Sequence, residues 1–352
     1  MTFLQILGIA FGLSFLVIVH ESGHYFAARW YGMRVLRFSI GLGPAIVRWQ
    51  PKGSPTVFQI AAIPFLAYVQ IDGMNPAEEI DRNDPTLFPN KSLMARAVTL
   101  LAGPLANYVA AALLFFGMFA IGGMPRDPSR GPMLVGSVAE GTPAATAGLL
   151  AGDEIFEANG EPVRTLTDLA RISSPRAGLE TVYRVRRDGA EIEVRMTPRE
   201  TRASEDAPSV GRIGVSALQL RDPVSIGTAA GAALLWPAIL TAAQFQGLYD
   251  LIIDPDLDRL SGPVGMGRQM AEHVEMGPWS YVGLVAAISV ALAVFNLLPF
   301  PALDGGRLVF VLFELIARRR PNERVEAITH TVGILFLLGL SVIVAIREAF
   351  AG

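Results

Sequence analysis

The chain has 352 residues, 51% of them hydrophobic, with a mean hydropathy of +0.42, which is too apolar for an ordinary soluble enzyme and long enough for a membrane core plus one further domain. Its net charge is only −3, from 29 basic and 32 acidic residues, which excludes the electrostatic footprint of a nucleic-acid-binding protein. Cysteine is absent, so disulfides and thiolate ligands are excluded and any zinc must be held by nitrogen and oxygen.

The first element is an apolar run over residues 3–30 that passes without interruption into His20-Glu21-Ser22-Gly23-His24. In a helix, positions i and i+4 share a face, so His20 and His24 can grip one cation while Glu21 stands beside it to take a proton from water. This is the H-E-x-x-H signature of zinc hydrolases. Phe3 and His20 are 17 positions apart, so at about 1.5 Å per residue the first histidine lies roughly 25 Å into a hydrocarbon layer about 30 Å thick. Ionisable groups at that depth are costly and default to function; the competing reading is a chance match at a helix end. Met1 and Thr2 bring no basic region, and no small-residue cleavage site precedes the motif, so residues 1–33 read as a retained first span rather than a signal peptide.

Arg29, Arg34, Arg37, Arg48 and Lys52 follow, a cationic cluster that marks this end as cytoplasmic and the N-terminus as outside. Residues 34–71 are short apolar runs rich in β-formers, punctuated by Gly41-Leu42-Gly43-Pro44, Lys52-Gly53-Ser54-Pro55 and Pro64. They predict a small sheet that dips into the membrane beside the motif, with one open edge. Residues 72–96 read as a cytoplasmic loop and 97–121 as the second span. Within it Gly103 and Pro104 suit a kinked, close-packed helix, while Asn107 either bonds between helices or lines the site.

Residues 125–200 alternate short strands, two short helices and turns at Asn159-Gly160 and Asp188-Gly189, the pattern of one compact β-rich domain. Residues 201–280 read as a linker followed by an outer-surface amphipathic segment. Its stretch 224–251 is apolar, yet Pro237 interrupts it and Gln244, Gln246 and Asp250 crowd its second half. If that stretch stays out of the membrane, the third transmembrane segment, 281–316, runs inward and delivers Arg318, Arg319 and Arg320 to the cytoplasm, as the charge rule prefers. The last span is 327–347, with the C-terminus outside. The expected fold is a multi-pass α-helical membrane protein of four transmembrane helices, with a membrane-reentrant β-region and one β-rich domain.

A hydrolytic zinc takes three protein ligands and one water. Besides His20 and His24 only His273 and His330 remain; one lies in a polar stretch and the other opens the last span, which suits interfacial or surface positions. Asp304 is the better candidate. It closes the segment Asn296-Leu297-Leu298-Pro299-Phe300-Pro301-Ala302-Leu303-Asp304, in which two prolines break a membrane helix, and unwound backbone persists in a membrane only where it faces a cavity. Counted from Val282, it reaches the depth of His20. The competing reading of Asp304 is a helix N-cap.

With Leu101-Ala102-Gly103-Pro104-Leu105-Ala106-Asn107 and Ser261-Gly262-Pro263-Val264-Gly265, these two motifs resemble the site-2 protease family (peptidase M50), in its RseP-like bacterial branch of intramembrane zinc metalloproteases, over nearly the whole chain. The resemblance implies Zn2+ held by His20, His24 and Asp304, Glu21 as general base and acid, and Asn296 as a substrate contact. It also implies a bacterial inner-membrane location, a periplasmic PDZ-like domain at 125–200, and a β-region whose edge, at Tyr68 and Val69, holds an extended substrate strand by main-chain hydrogen bonds. Two features depart from the family: a single PDZ-like unit where some relatives carry two, and Ile63-Pro64-Phe65-Leu66-Ala67-Tyr68-Val69 where relatives show Gly-Gly after the apolar residue.

The function so implied is hydrolysis of peptide bonds within the transmembrane segments of single-span proteins, such as anti-sigma factors and remnant signal peptides, after an upstream site-1 type protease has trimmed them outside. Membrane lipid is the other implied partner; nucleic acid is not one. A non-catalytic PDZ-bearing adaptor with a structural zinc would explain the outer domain but not a spare coordination position beside Glu21. A metal transporter would want polar residues strung across several spans.

Overall fold

The computed structural model describes residues 2–75, 80–126, 132–202, 209–218, 220–254 and 262–350, without the side chains of 64–66. Residues 76–79 of the expected loop, 203–208 of the expected linker and Ser261 therefore lie outside the described residues. The chain divides into two units, Met1–Gly122 together with Ser225–Gly352, and Gly123–Val224.

The first unit opens on α1 (Phe3–Trp30), started by a capping box in which Gln5 N–H donates to Thr2 Oγ1 and Thr2 N–H to Gln5 Oε1. Phe3, Leu7 and Phe11 are exposed along one side of this helix, whereas Gly12, Leu16, His24 and Ala28 are buried along another. An apolar skin outside and polar groups inside is the arrangement that lipid, as solvent, demands. β1 (Val35–Trp49) and β2 (Val57–Ile71) form the expected sheet. Bulges break their register, so that residues 35–40 pair with 67–71 on one side and with 57–60 on the other, while 45–49 pair with 58–61. The 63–71 limb is left as an outer strand. α2 (Leu93–Gly122) then runs antiparallel to α1, with Gly103 against His24 and Asn107 against His20.

The second unit comprises β3 (Met124–Pro125), β4 (Val135–Val138), α3 (Pro143–Thr146), β5 (Glu154–Ala158), β6 (Glu161–Pro162), α4 (Leu166–Ser173), β7 (Thr181–Arg187), β8 (Ala190–Met196), β9 (Arg199–Thr201), β10 (Val210–Arg212), β11 (Val215–Ala217) and β12 (Arg221–Asp222). Its main sheet has the antiparallel order β6-β5-β7-β8, and Ile155, Leu169, Tyr183 and Val185 fill its core. The unit is wider than the 125–200 expected. β11 returns to pair with β4 and β12 with β3, so the end of the expected linker closes the domain instead. Strands of two or three residues are too short to show an alternating pattern.

Within this unit Asp153 is 2% exposed and is gripped by Arg187 through Nε at 2.8 Å and Nη2 at 2.6 Å. This charge-assisted pair holds the carboxyl below the usual carboxylate range. A depressed folded value means stability that is present above the unfolded value near about 4 and is lost as pH falls through the lower folded value. Arg187→Leu is expected to destabilise the unit by about 1–3 kcal/mol at neutral pH and to flatten that acid-side slope, read from amide hydrogen exchange of residues 154–158 in the intact chain.

The first unit resumes with α5 (Ile226–Ile253), one continuous 28-residue helix where the sequence predicts an interrupted segment on the outer membrane surface. Along it Thr241 Oγ1 donates to the Pro237 carbonyl at 2.8 Å and Gln246 to Asp250 at 2.8 Å, so these polar side chains find partners within the helix itself. α6 (Pro263–Glu275), α7 (Pro278–Leu297), α8 (Asp304–Ala317) and α9 (Glu323–Phe350) follow. By length and composition, five helices among the described residues can cross a membrane, α1, α2, α5, α7 and α9, rather than the four expected.

α7 itself runs parallel to α1. α6 lies antiparallel to α1, its Met270 and Val274 against Gly12 and Gly8, and Gln5 Nε2 donates to Glu275 Oε1 at 2.7 Å. α7 consequently starts at the N-terminal end of α1, where Tyr281 donates to the Gly8 carbonyl at 2.6 Å. The return through α6 removes the link between the depth of α5 and the direction of α7. At the other end, Arg96 of α2 pairs with Glu314 of α8 at 2.8 Å.

Candidate metal centre

His20 and His24 stand one turn apart on α1, and Asp304 is the first residue of α8, which follows the break after α7. The parallel course of α1 and α7 brings all three together. His20 Nε2 and His24 Nε2 are 3.1 Å apart, and each is 3.2 Å from Asp304 Oδ2. In a tetrahedral zinc site with bonds of about 2.0–2.1 Å, ligand atoms sit about 3.3–3.4 Å from one another. The triangle therefore fits one ion with three protein ligands and a fourth position left open. Asp304 Oδ2 is buried without a hydrogen bond among the described residues, a demand that a cation satisfies. The N-cap reading of Asp304 does not hold: the N-cap of α8 is Leu303, and no side chain caps it.

The far side of each imidazole is also occupied. His24 Nδ1 lies 2.8 Å from the Thr99 carbonyl; a carbonyl only accepts, so Nδ1 carries the proton and Nε2 offers its lone pair to the triangle. His20 Nδ1 lies 3.3 Å from the side-chain amide of Asn107, whose Oδ1 has no other partner among the described residues. Turned to the ring, that oxygen accepts the Nδ1 proton and frees Nε2 in the same way. Ser289 of α7 donates to the Asn107 backbone carbonyl at 2.8 Å, which ties α7 to α2 at this level. Gly23 and Gly103 make the approach possible, because a Cβ at Gly23 would collide with the Ala102 carbonyl and one at Gly103 with the His24 ring.

Glu21 joins the motif to the sheet. Its Oε2 accepts the Val69 N–H at 2.9 Å, so the carboxylate next to His20 touches the outer 63–71 limb. Tyr68 is turned into its own sheet, its hydroxyl accepting from Arg37 at 3.3 Å and from Gln59 at 3.4 Å. Asn296 donates to the Leu292 carbonyl of its own helix at 2.9 Å. The structure thus assembles His20, Glu21, His24, Asp304 and the Val69 amide, while the side chains of Tyr68 and Asn296 bond elsewhere. His273 contacts Ser280 at 2.7 Å where α6 turns into α7.

The sequence reading missed one of these residues and misplaced another. Thr99 supplies only a backbone carbonyl, which leaves no mark in residue type. His330, expected at an interface or surface, is 6% exposed and accepts the Ala302 N–H through Nδ1 at 3.0 Å.

The profile of peptidase family M50 matches residues 8–340. A protein of Rickettsia conorii, provisionally named a zinc metalloprotease, is 31% identical over 97% of this chain and 97% of its own length. Metalloprotease MmpA of Caulobacter vibrioides is 31% identical over 97% of this chain and 94% of its own. Among solved structures, the PDZ domain of an SdrC-like protein from Listeria monocytogenes is similar at 20% identity with a TM-score of 0.21, over 25% of this chain and 87% of that one. A family match of this extent, on helices apolar enough to cross a membrane and around a triad able to hold a metal, makes the chain a member of peptidase family M50 and a metalloprotease.

Proposed function

We propose that the protein is an intramembrane zinc metalloprotease of a bacterial inner membrane that hydrolyses peptide bonds inside the transmembrane segments of single-span proteins. The observation that carries this reading is the contact of Glu21 with the Val69 amide at 2.9 Å, beside a ligand triangle of 3.1–3.2 Å edges. It joins a hydrolytic centre to a strand edge within helices of spanning length.

His20, His24 and Asp304 would hold zinc, which would make a bound water acidic near neutral pH and act as a Lewis acid on the scissile carbonyl. Glu21 accepts the proton of the attacking water and returns it to the leaving amine. Thr99 and Asn107 hold the two imidazoles in the tautomer that keeps Nε2 unprotonated. A helical substrate hides its carbonyls in internal hydrogen bonds, so it is cut only after it unwinds, and the 63–71 limb offers main-chain groups to the extended strand. Asn296 turns from Leu292 towards the substrate backbone when one is present. The substrates belong to the class of anti-sigma factors and remnant signal peptides, first trimmed outside by a site-1 type protease, with the 123–224 unit and both termini on the periplasmic side.

The test is cleavage of a single-span substrate by the full chain in lipid vesicles, with product masses locating the cut. The expected cut falls within the apolar stretch, stops on chelation, returns with added zinc, and is faster when a proline or glycine is placed near it. Cleavage confined to the water-exposed flank overturns the reading.

A further inference from the structure

Between α7 and α8 the chain is unwound, and the residue two places before Asp304 is held in an unusual backbone state. Ala302 has φ of 80°, the left-handed region that a residue with a Cβ keeps only when its surroundings impose it. Those surroundings are on α9. His330 Nδ1 accepts the Ala302 N–H at 3.0 Å. Gly333, nearly one turn on, lies so close to Pro301 that a Cβ there would stand 2.6 Å from the Pro301 carbonyl carbon and oxygen. The Phe336 ring packs 5.7 Å from that of Phe300, tilted by 45° to it.

Positions 330, 333 and 336 recur every three residues along one side of a helix. They meet 302, 301 and 300 in reverse order, so α9 reads the break one residue at a time. The His330 ring also packs 5.6 Å from Phe310 of α8, which places it between the break and the helix that Asp304 begins. Since Nδ1 accepts, the neutral ring carries its proton on Nε2.

We propose that His330 is a positioning residue for the metal centre: it holds the left-handed turn at Ala302 and so sets where the Asp304 carboxylate falls relative to His20 and His24. This rests on Asp304 being a ligand. A partner of this kind acts on the ion through the ligand it orients, and losing such partners typically weakens metal binding by about 10–100-fold.

The test measures zinc affinity of the full chain by competition with a chelator, together with its melting temperature. His330→Phe, which keeps the ring but removes the acceptor, is expected to weaken zinc binding at least about tenfold. His330→Asn, whose side-chain oxygen can take the Ala302 N–H, is expected to recover most of that loss. If the Phe variant does not fold, Gly333→Ala carries the same expected loss, because it pushes on Pro301 without removing His330. In an Asp304→Ala background, His330→Phe should weaken zinc no further. Unchanged zinc affinity in His330→Phe, or a loss that Asn fails to recover, overturns the proposal. Unchanged affinity in Asp304→Ala instead overturns the ligand assignment beneath it.

Discussion

Glu21→Gln is expected to lower the rate of transmembrane-segment cleavage by about 10²–10⁴-fold, the range that general acid–base catalysis supplies, while zinc content stays that of the wild type. The selectivity follows from where Glu21 stands. It is outside the triangle formed by His20, His24 and Asp304, so the ion loses no ligand. The glutamine keeps the volume of the side chain and an oxygen able to accept the Val69 N–H that Glu21 accepts at 2.9 Å, so the seam between α1 and the sheet survives. What disappears is the capacity to take a proton from water and give it to the leaving amine. Single-turnover measurements should show the loss in the chemical step with substrate binding retained, because an interaction used only in the transition state has been removed. A wild-type rate with zinc still bound would mean that another group moves the proton.

How far the sequence foretells the site depends on whether its signals are local or spatial. His20, Glu21 and His24 are legible because helical periodicity converts a spacing of four into one face, and because lipid makes buried imidazoles conspicuous. Asp304 is legible because Pro299 and Pro301 break a helix at a depth where only a cavity permits it. The Thr99 carbonyl is not, since every residue has one. His330 is not either: its partner is a backbone N–H 28 positions away, and nothing in the pair Ala302 and His330 announces a left-handed turn. In the fold, the same distinction separates the sheet at 35–71, written in β-formers, from the short closing strands β11 and β12. It also separates the apolar run of α5 from its return through α6, a reversal that carries no charge signal of its own.

Asp304→Ala is expected to weaken zinc binding by more than the roughly 10–100-fold typical of losing an outer hydrogen-bond partner, and to abolish cleavage at zinc concentrations that saturate the wild type. The carboxylate supplies one of three ligands and the only negative charge among them, with its Oδ2 3.2 Å from each imidazole nitrogen. Two neutral imidazoles one turn apart leave the ion with half of a tetrahedral ligand set and no anionic ligand. Asp304→Ser separates this role from helix capping. Serine is among the best N-cap residues, so a capping role would leave binding and activity largely intact, whereas a ligand role predicts a loss close to that of alanine. The helix itself should tolerate either change: the N-cap of α8 is Leu303, and a carboxylate in a first turn contributes only about 0.3–1 kcal/mol through the helix dipole. Unfolding curves for the metal-free forms of the three proteins should therefore nearly coincide, with the difference appearing only when zinc is added, since a ligand that binds the native state raises stability with the logarithm of its affinity.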